Sequence, residues 1–229
     1  MINKKIPLHI GIIPDGNRRW AVSKGLENVK GYSKVDYAHI ESLLLEAKKL
    51  GSKYVSLWLF STENWKRPKY EINFLFDHFS KNLDLMLQGS LKNKIRIIHL
   101  GRKDRLPKKV VDGLELLESE TSKFEDFTAL LCMDYGGRDE IIRAVNKMLE
   151  SGQSNINEDD FKKYLDSSDI PDPDLVIRTS GEKRLSGFMP FQTTYSEFYF
   201  TDLHFPDFGV KEFRQAIEDY SKRKRNMGK

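Results

Sequence analysis

The sequence of 229 residues is poor in cysteine and has no long hydrophobic run. Its single cysteine, Cys132, excludes an internal disulfide and any metal site built on a Cys-x-x-Cys pair, which fits a reducing compartment. Because Cys132 lies within the apolar residues 128–133, we expect a buried structural thiol rather than a nucleophile. The apolar residues 8–14 are too few to span a bilayer, and no signal-peptide pattern precedes them. These absences predict a cytoplasmic protein whose contact with a membrane, if any, is peripheral.

Segments rich in proline, glycine or serine are also absent, so we expect one domain over residues 1–229. Hydrophobic residues make up 39% and charged residues 31%, which is typical of a folded globular protein. The mild net charge of +4 fits a small anionic substrate or an anionic membrane surface and does not call for nucleic acid. Basic residues lie near the C-terminus: Lys222, Arg223, Lys224, Arg225 and Lys229. A nucleic-acid module could account for them, but a solvated helix end, where cations are favoured, explains them at least as well.

Short apolar segments alternate with longer amphipathic ones along the chain. Strands are predicted at residues 8–13, 54–60, 95–100, 128–133, 175–177 and 198–200. Most are apolar on both faces, as buried parallel strands are. Apolar residues at helical spacing predict helices at 35–50, 72–87, 107–117, 141–149, after Asn157, and at 210–225. This alternation predicts an α/β fold with a central, mostly parallel sheet.

A polar cluster follows the first predicted strand, where ligands of such sheets bind. It consists of Asp15, Gly16, Asn17, Arg18, Arg19 and Trp20. Glycine lets a ligand approach the backbone closely, the start of the next helix offers N–H groups to an anion, and guanidinium groups match phosphate oxygens. Asp15 is a hard oxygen ligand suited to Mg²⁺ bridging a diphosphate. An aspartate that caps a helix beside solvated arginines explains this cluster equally well.

Two further clusters follow the second and fifth predicted strands. The second comprises Ser61, Thr62, Glu63, Asn64, Trp65 and Arg67, a composition that a simple helix cap also explains. The third comprises Arg178, Thr179, Ser180, Gly181, Glu182, Arg184 and Ser186, with Glu197 beyond them. Its arginines and Ser186 can surround a second diphosphate, and Glu197 can give the metal a second carboxylate. Three such loops at one sheet edge predict a functional site.

Four segments resemble the cis-prenyltransferase family, whose best-known member is undecaprenyl diphosphate synthase. They are HIGIIPDGNRRWA (9–21), LFSTENWKRP (59–68), DYGGRDEI (134–141) and DLVIRTSGEKRLSGFMPFQTTYSEFYFTDLHFPDF (174–208). The likeness covers nearly the whole chain in order. It implies a six-stranded parallel sheet flanked by helices, a hydrophobic tunnel, a homodimer and Mg²⁺. It also implies that an allylic prenyl diphosphate condenses with isopentenyl diphosphate and releases diphosphate.

The resemblance also implies roles for individual residues. Asp15, Ser61 and Asn64 are candidate catalytic residues, and Asp15 and Glu197 are candidate metal ligands. Further residues are expected to bind the allylic diphosphate, the reacting carbons or the isopentenyl diphosphate. They are Gly16, Asn17, Arg18, Arg19, Trp20, Tyr32, Trp65, Arg67, Arg178, Glu182, Arg184 and Ser186. Leu59 and Met133 stand where long-chain relatives carry smaller residues, so we expect them to narrow the tunnel and keep the product short.

The sequence departs from the family at several positions. Tyr32 replaces a histidine and Asn28 an arginine on the allylic-diphosphate side, Ser180 replaces a glycine, and residues 226–228 replace Arg-Phe-Gly. The combination of Pro14 before Asp15 with the later Tyr32 also resembles the sequence of lavandulyl diphosphate synthase. Non-head-to-tail condensation, or transfer to another acceptor, is therefore the alternative reaction. A catalytically silent partner subunit is the alternative of a different class, although the chain keeps the aspartate and arginines that such subunits lack.

Overall fold

The computed structural model describes residues 5–225, which form a six-stranded sheet flanked by helices. Strands β1 to β6 span His9–Ile13, Tyr54–Ser61, Arg96–Leu100, Thr128–Tyr135, Leu175–Arg178 and Glu197–Phe200. Across the sheet their order is β3-β4-β2-β1-β5-β6, and each neighbouring pair is parallel. The predicted α/β fold with a central six-stranded parallel sheet is confirmed.

Eight α-helices connect or follow these strands in the described part of the chain. Helices α1 to α8 span Asn17–Ser23, Lys30–Lys34, Tyr37–Leu50, Lys69–Asn93, Lys108–Thr121, Gly137–Glu150, Glu158–Lys162 and Val210–Lys222. Short 3₁₀ helices cover Thr62–Lys66 and Phe205–Asp207. Among residues 5–225, no helix is both long and apolar enough to cross a membrane.

The helix ends follow from local chemistry. Asp36 caps α3 by accepting a hydrogen bond from the His39 backbone, and Gly51 caps its other end after Leu50, where the positive φ of 105° suits glycine. Pro68 and Pro107 directly precede α4 and α5, where a missing N–H costs nothing. Asn157 caps α7 as predicted, because its side chain accepts from the Asp160 N–H.

Both faces of the sheet are buried at β1, β4 and β5, as the apolar strands predicted, whereas the edge strand β6 is half-buried. Every residue of β1, β4 and β5 is buried, and Cys132 is a buried thiol whose pKa burial raises well above its ordinary value. The larger core joins the sheet to α3, α4, α5 and α8. Helix α6 differs from expectation, because Ile142, Val145 and Leu149 on its predicted apolar face are exposed while Met148 is buried.

The C-terminal helix ends earlier than predicted. α8 stops at Lys222 rather than near residue 225, and Arg223 is extended. The guanidinium of Arg223 binds Glu197 and Asp219, and that of Arg225 binds Asp174. These contacts hold the chain against the sheet. The departure at residues 226–228 lies outside the described residues.

Candidate active site

The first and third polar clusters meet at the carboxyl edge of the sheet. Ile13 and Arg178 are partners in the β1–β5 ladder, so the residues that follow β1 lie beside the end of β5. The Arg178 side chain is 6% exposed, and its Nη2 donates to Asp15 Oδ2 at 2.9 Å. Its Nη1 donates to Ser186 Oγ at 2.8 Å and to the carbonyl of Arg184. Arg178 therefore links the Asp15 loop to the Ser186 loop.

Asp15 is held as a carboxylate. Burial disfavours its charged form, but the hydrogen bond and charge of Arg178 outweigh burial, aided by the Gly16 N–H and by Arg19, so the pKa of Asp15 is lowered. Thr179 Oγ1 donates to the Asp15 carbonyl at 2.7 Å, and the Phe205 N–H donates to it at 3.0 Å. Both the carboxylate and the backbone of Asp15 are thus fixed.

Gly16 is required by the geometry of this loop. Its φ is +95°, and an added Cβ would lie 2.5 Å from Ser180 Oγ and 2.6 Å from His204 Nδ1. A side chain at this position would be strained and would clash. Glycine therefore allows the Asp15 loop to pack directly on the side chains of Ser180 and His204.

The outer rim is a set of ion pairs. Arg19 lies 3.3 Å from Asp15 Oδ1, and it donates to Glu182 Oε1 and to the Ser180 carbonyl, each at 3.1 Å. Glu182 also binds Arg184, whose side chain is 60% exposed. Exposed pairs contribute little to stability. An incoming anion can therefore replace these contacts at low cost.

The second cluster borders the same site. In the turn after β2, Asn64 Oδ1 accepts from the Ser61 N–H at 3.1 Å. Arg67 Nη1 donates to Tyr32 Oη at 2.7 Å and to Glu71 Oε1 at 2.9 Å. Arg18 Nη1 lies 3.6 Å from Glu71 Oε2, and the Glu71 side chain is fully buried. Glu71 thus anchors the arginines that face the cavity.

Tyr32 belongs to this network. Its hydroxyl donates to Glu71 Oε1 at 3.1 Å. Burial raises the pKa of Tyr32 to about 12. The charge of Arg67 opposes this rise, and the nearby Glu71 adds to it. The phenol therefore stays neutral and keeps a hydroxyl at the position where the resemblance expects an imidazole.

The three clusters open onto a cavity of about 910 Å³. Its polar lining contains Asp15, Gly16, Asn17, Arg18, Arg19, Tyr32, Ser61, Asn64, Arg67, Arg178 and Ser186. Its apolar lining, from the sheet and from α3 and α4, contains Ile40, Leu57, Leu59, Phe60, Leu75, Phe76, Phe79, Met86, Leu131 and Met133. An arginine-rich mouth on an apolar cavity suits a substrate with an anionic head and a hydrocarbon body.

Leu59 and Met133 follow Leu57 and Leu131 by two residues, the spacing that puts side chains on one face of a strand, and all four line this cavity. The ladder between β2 and β4 pairs Trp58 with Cys132 and Phe60 with Met133, which leaves Leu59 unpaired. A bulge releases a strand from strict alternation, so the adjacent residues Leu59 and Phe60 both reach the cavity. Leu59 and Met133 therefore lie where they can limit the length of a bound chain.

Several predicted site residues lie outside the cavity lining. Trp20 Nε1 donates to Asp207 at 2.9 Å, and Trp65 packs against Phe60 and Phe76 behind the wall. Glu182 and the Arg184 side chain stand on the outer rim. Trp20 and Trp65 therefore act here through packing and hydrogen bonds rather than as cavity lining.

Glu197 is not brought to Asp15 within one chain. It begins β6, pairs with Leu175 at the start of β5, and binds Arg223 at 2.8 Å. Asp15 instead follows the end of β1, next to Arg178. The expected metal pair of Asp15 and Glu197 is not formed by this geometry, because the two residues lie at opposite edges of the sheet.

A Mg²⁺ ion fits the site with Asp15 alone. Among residues 5–225 no group of three or more His, Cys, Asp or Glu side chains is placed to hold a metal. Mg²⁺ commonly takes one or two carboxylates, with water and substrate phosphate completing its shell. Asp15 is ionised and lines the cavity, so it is the residue that would hold such an ion.

Three supporting residues were not predicted. Glu71 follows Arg67 at helical i,i+4 spacing, a signal that could have revealed it. Asp134 is fully buried with a φ of +49°, and it binds the Trp65 indole and Arg105. His204 has no distinguishing sequence signal, since its place beside Gly16 depends on the tertiary fold.

The fold and site define an α/β protein built to bind an anionic head group above an apolar cavity. The family model described as putative undecaprenyl diphosphate synthase matches residues 13–228. An isoprenyl transferase of Fusobacterium nucleatum is 44% identical over 227 residues, covering 99% of this chain and 98% of that relative. One from Aquifex aeolicus is 43% identical over 226 residues, covering 98% and 97%. The chain belongs to this prenyltransferase family.

Solved structures agree. Lavandulyl diphosphate synthase from Lavandula x intermedia, in complex with dimethylallyl diphosphate, superposes with a TM-score of 0.93 at 32% identity, covering 98% of this chain and 99% of that one. A probable undecaprenyl diphosphate synthase from Campylobacter jejuni has a TM-score of 0.83 at 33% identity, covering 98% and 100%. The resemblance drawn from the sequence is confirmed, and family membership supports cis-prenyl transfer as the activity.

Proposed function

We propose that this enzyme condenses an allylic prenyl diphosphate with isopentenyl diphosphate, head to tail, and releases diphosphate. The growing product is a short cis-polyprenyl diphosphate. The observation that carries the proposal is the buried Arg178, which joins Asp15 on one side to Ser186 on the other. That link places an ionised carboxylate between two arginine-bearing loops above an apolar cavity.

The arginines on the two sides of Asp15 bind different substrates. Arg18, Arg19 and Arg67 lie on the α1 and β2 side, next to the apolar wall, and hold the allylic diphosphate. Arg178 and Ser186 lie on the other side and hold the isopentenyl diphosphate. Within residues 5–225 the buried Nε of Arg178 has no hydrogen-bond partner, which fits a donor to a phosphate oxygen of the bound substrate.

In this reaction the allylic C–O bond breaks and diphosphate leaves as an anion. The isopentenyl double bond forms the new carbon–carbon bond, and the condensing unit then loses a proton, which the released diphosphate can accept. Guanidinium groups stabilise the departing charge. Asp15 would hold Mg²⁺, which neutralises diphosphate charge when bound. The cavity walls keep the two hydrocarbon parts close and exclude water, so positioning supplies much of the acceleration.

The test is a direct assay of the purified protein. It is incubated with Mg²⁺, isopentenyl diphosphate and, in turn, dimethylallyl, geranyl or farnesyl diphosphate, and the products are identified by mass spectrometry. The proposal expects products longer by whole five-carbon units, and no product when EDTA removes the metal. Absence of elongation with every allylic substrate would contradict it.

Irregular coupling is the second candidate, and two observations favour it. The chain superposes on the lavandulyl enzyme with the TM-score of 0.93, and Tyr32 lines the cavity beside Arg67. If this reaction operates, dimethylallyl diphosphate alone should give a ten-carbon product. Formation of that product without isopentenyl diphosphate would displace the head-to-tail proposal.

Assembly and membrane contact are proposed on surface features. The exposed residues Ile142, Val145 and Leu149 form one stripe along α6, which supports a homodimer. Light scattering should then give twice the chain mass. Exposed Val22, which lines the cavity, and exposed Leu26, which follows α1, support peripheral contact with a membrane, and vesicle co-sedimentation tests this contact.

A further inference from the structure

A serine occupies a left-handed backbone position in the loop that follows β5. Ser180 has a φ of +77° and is 5% exposed. A serine in this conformation is strained, whereas a glycine would adopt the same φ at no steric cost. Strain of this kind persists only where the surroundings hold the residue in place.

The surroundings of Ser180 are specific. Its hydroxyl is hydrogen-bonded to His204 Nδ1 at 2.7 Å, and its N–H donates to the Leu203 carbonyl at 2.7 Å. The Ser180 Oγ and the His204 Nδ1 both lie against the backbone of Gly16. The Ser180 carbonyl accepts from Arg19 Nη1 at 3.1 Å. A displacement of Ser180 would therefore shift both the Asp15 loop and the Arg19 side chain.

We infer that Ser180 and His204 are positioning residues for the allylic-diphosphate side of the site. They act through the backbone of Gly16 and through Arg19 rather than by touching the substrate. The hydrogen bond between them sets how closely the loop after β5 packs on the loop after β1. The inference rests on the proposed function, because it assigns the pair to one of the two diphosphate pockets proposed above.

The main variants are Ser180→Ala and His204→Ala, assayed by steady-state kinetics with each substrate varied in turn. Loss of one hydrogen bond should raise the KM for the allylic diphosphate by about 3- to 10-fold, with kcat and the isopentenyl KM changed less than about 2-fold. The double variant should be no worse than the more affected single variant, because both remove the same bond. His204→Asn keeps a polar group near the Nδ1 position and should restore part of the affinity.

Ser196→Ala is the matched control, since its hydroxyl donates to the Pro173 carbonyl, near the amino edge of the sheet. It should leave both KM values unchanged. If the alanine variant at position 180 does not fold, Ser180→Gly replaces it, because glycine adopts this φ freely and also lacks the hydroxyl.

Binding of inorganic diphosphate, measured by calorimetry, provides a readout independent of turnover. The Ser180 and His204 variants should bind it about 3- to 10-fold more weakly than the wild type. Unchanged allylic KM and unchanged diphosphate affinity in folded variants would overturn the inference, as would equal effects on both KM values or additive effects in the double variant. Failure of the wild type to form any prenyl product would instead overturn the proposed function.

Discussion

Removal of the Leu59 side chain should lengthen the product. Leu59 and Met133 line the cavity from neighbouring strands, on the same face of the sheet as Leu57 and Leu131. Burying one more isoprene unit of five carbons would favour elongation by about 4 kcal/mol, at about 0.8 kcal/mol per carbon. A packed wall opposes this, because forcing extra carbons into it costs about 1–3 kcal/mol or more.

Leu59→Ala removes three carbons from this wall. If a growing chain fills the space, the gain is about 2.4 kcal/mol, or roughly 50-fold in the ratio of longer to shorter product. Leu59→Ala with Met133→Ala should shift the distribution further. Because truncating a buried Met costs about 2–5 kcal/mol of stability, thermal unfolding must confirm that the double variant is folded at the assay temperature.

The assay compares the chain lengths of dephosphorylated products by liquid chromatography and mass spectrometry at equal turnover. Leu116→Ala is the matched control, since Leu116 is exposed on α5 and lies outside the cavity lining. It should leave the distribution unchanged. The same distribution in the wild type and in a folded, active double variant would refute the steric limit.

Three further predictions concern the polar site. Asp15→Asn should reduce kcat by several orders of magnitude with the fold retained, as checked by circular dichroism; near-native turnover in excess Mg²⁺ would contradict this. Arg178→Ala should mainly raise the KM for isopentenyl diphosphate, and Arg19→Ala the KM for the allylic diphosphate. Each change should weaken binding of that substrate by about 1.5–3 kcal/mol. The reverse pattern of KM effects would refute the pocket assignment. Tyr32→His should improve head-to-tail elongation if Tyr32 specialises the allylic pocket, whereas identical rates and products would remove the main support for irregular coupling.

The stability of the protein should depend on pH through Asp15. Because the pKa of Asp15 is lower in the folded than in the unfolded chain, its ionised form adds stability above about pH 4, and this contribution is lost as the pH falls through the folded pKa. The difference in unfolding free energy between the wild type and Asp15→Asn should therefore shrink below about pH 4 in denaturant titrations. A constant difference across that range would contradict the assigned ionisation.

Much of the fold follows from local signals. Apolar runs between turn residues located all six strands, and the rule that ligands bind beyond the carboxyl ends of parallel strands brought Asp15, Ser61 and Arg178 to one edge. The same rule places Glu197 at the amino edge, since it begins β6, although the third polar cluster and the resemblance both suggested a metal ligand.

Other features depend on tertiary packing and could not be predicted from the sequence. The bulge that lets Phe60 reach the cavity beside Leu59 arises from the pairing of β2 with β4. The early end of α8 reflects ion pairs of Arg223 with Glu197 and of Arg225 with Asp174, which are distant in sequence. His204 becomes part of the site only because its segment packs against Gly16.

The connectivity and geometry of the new carbon–carbon bond test the central claim most directly. The product formed from an allylic diphosphate and ¹³C-labelled isopentenyl diphosphate is dephosphorylated and analysed by nuclear magnetic resonance. The account predicts a linear head-to-tail chain in which each added unit carries a Z double bond. An E double bond, or a branched product joined away from the head-to-tail carbons, would contradict it.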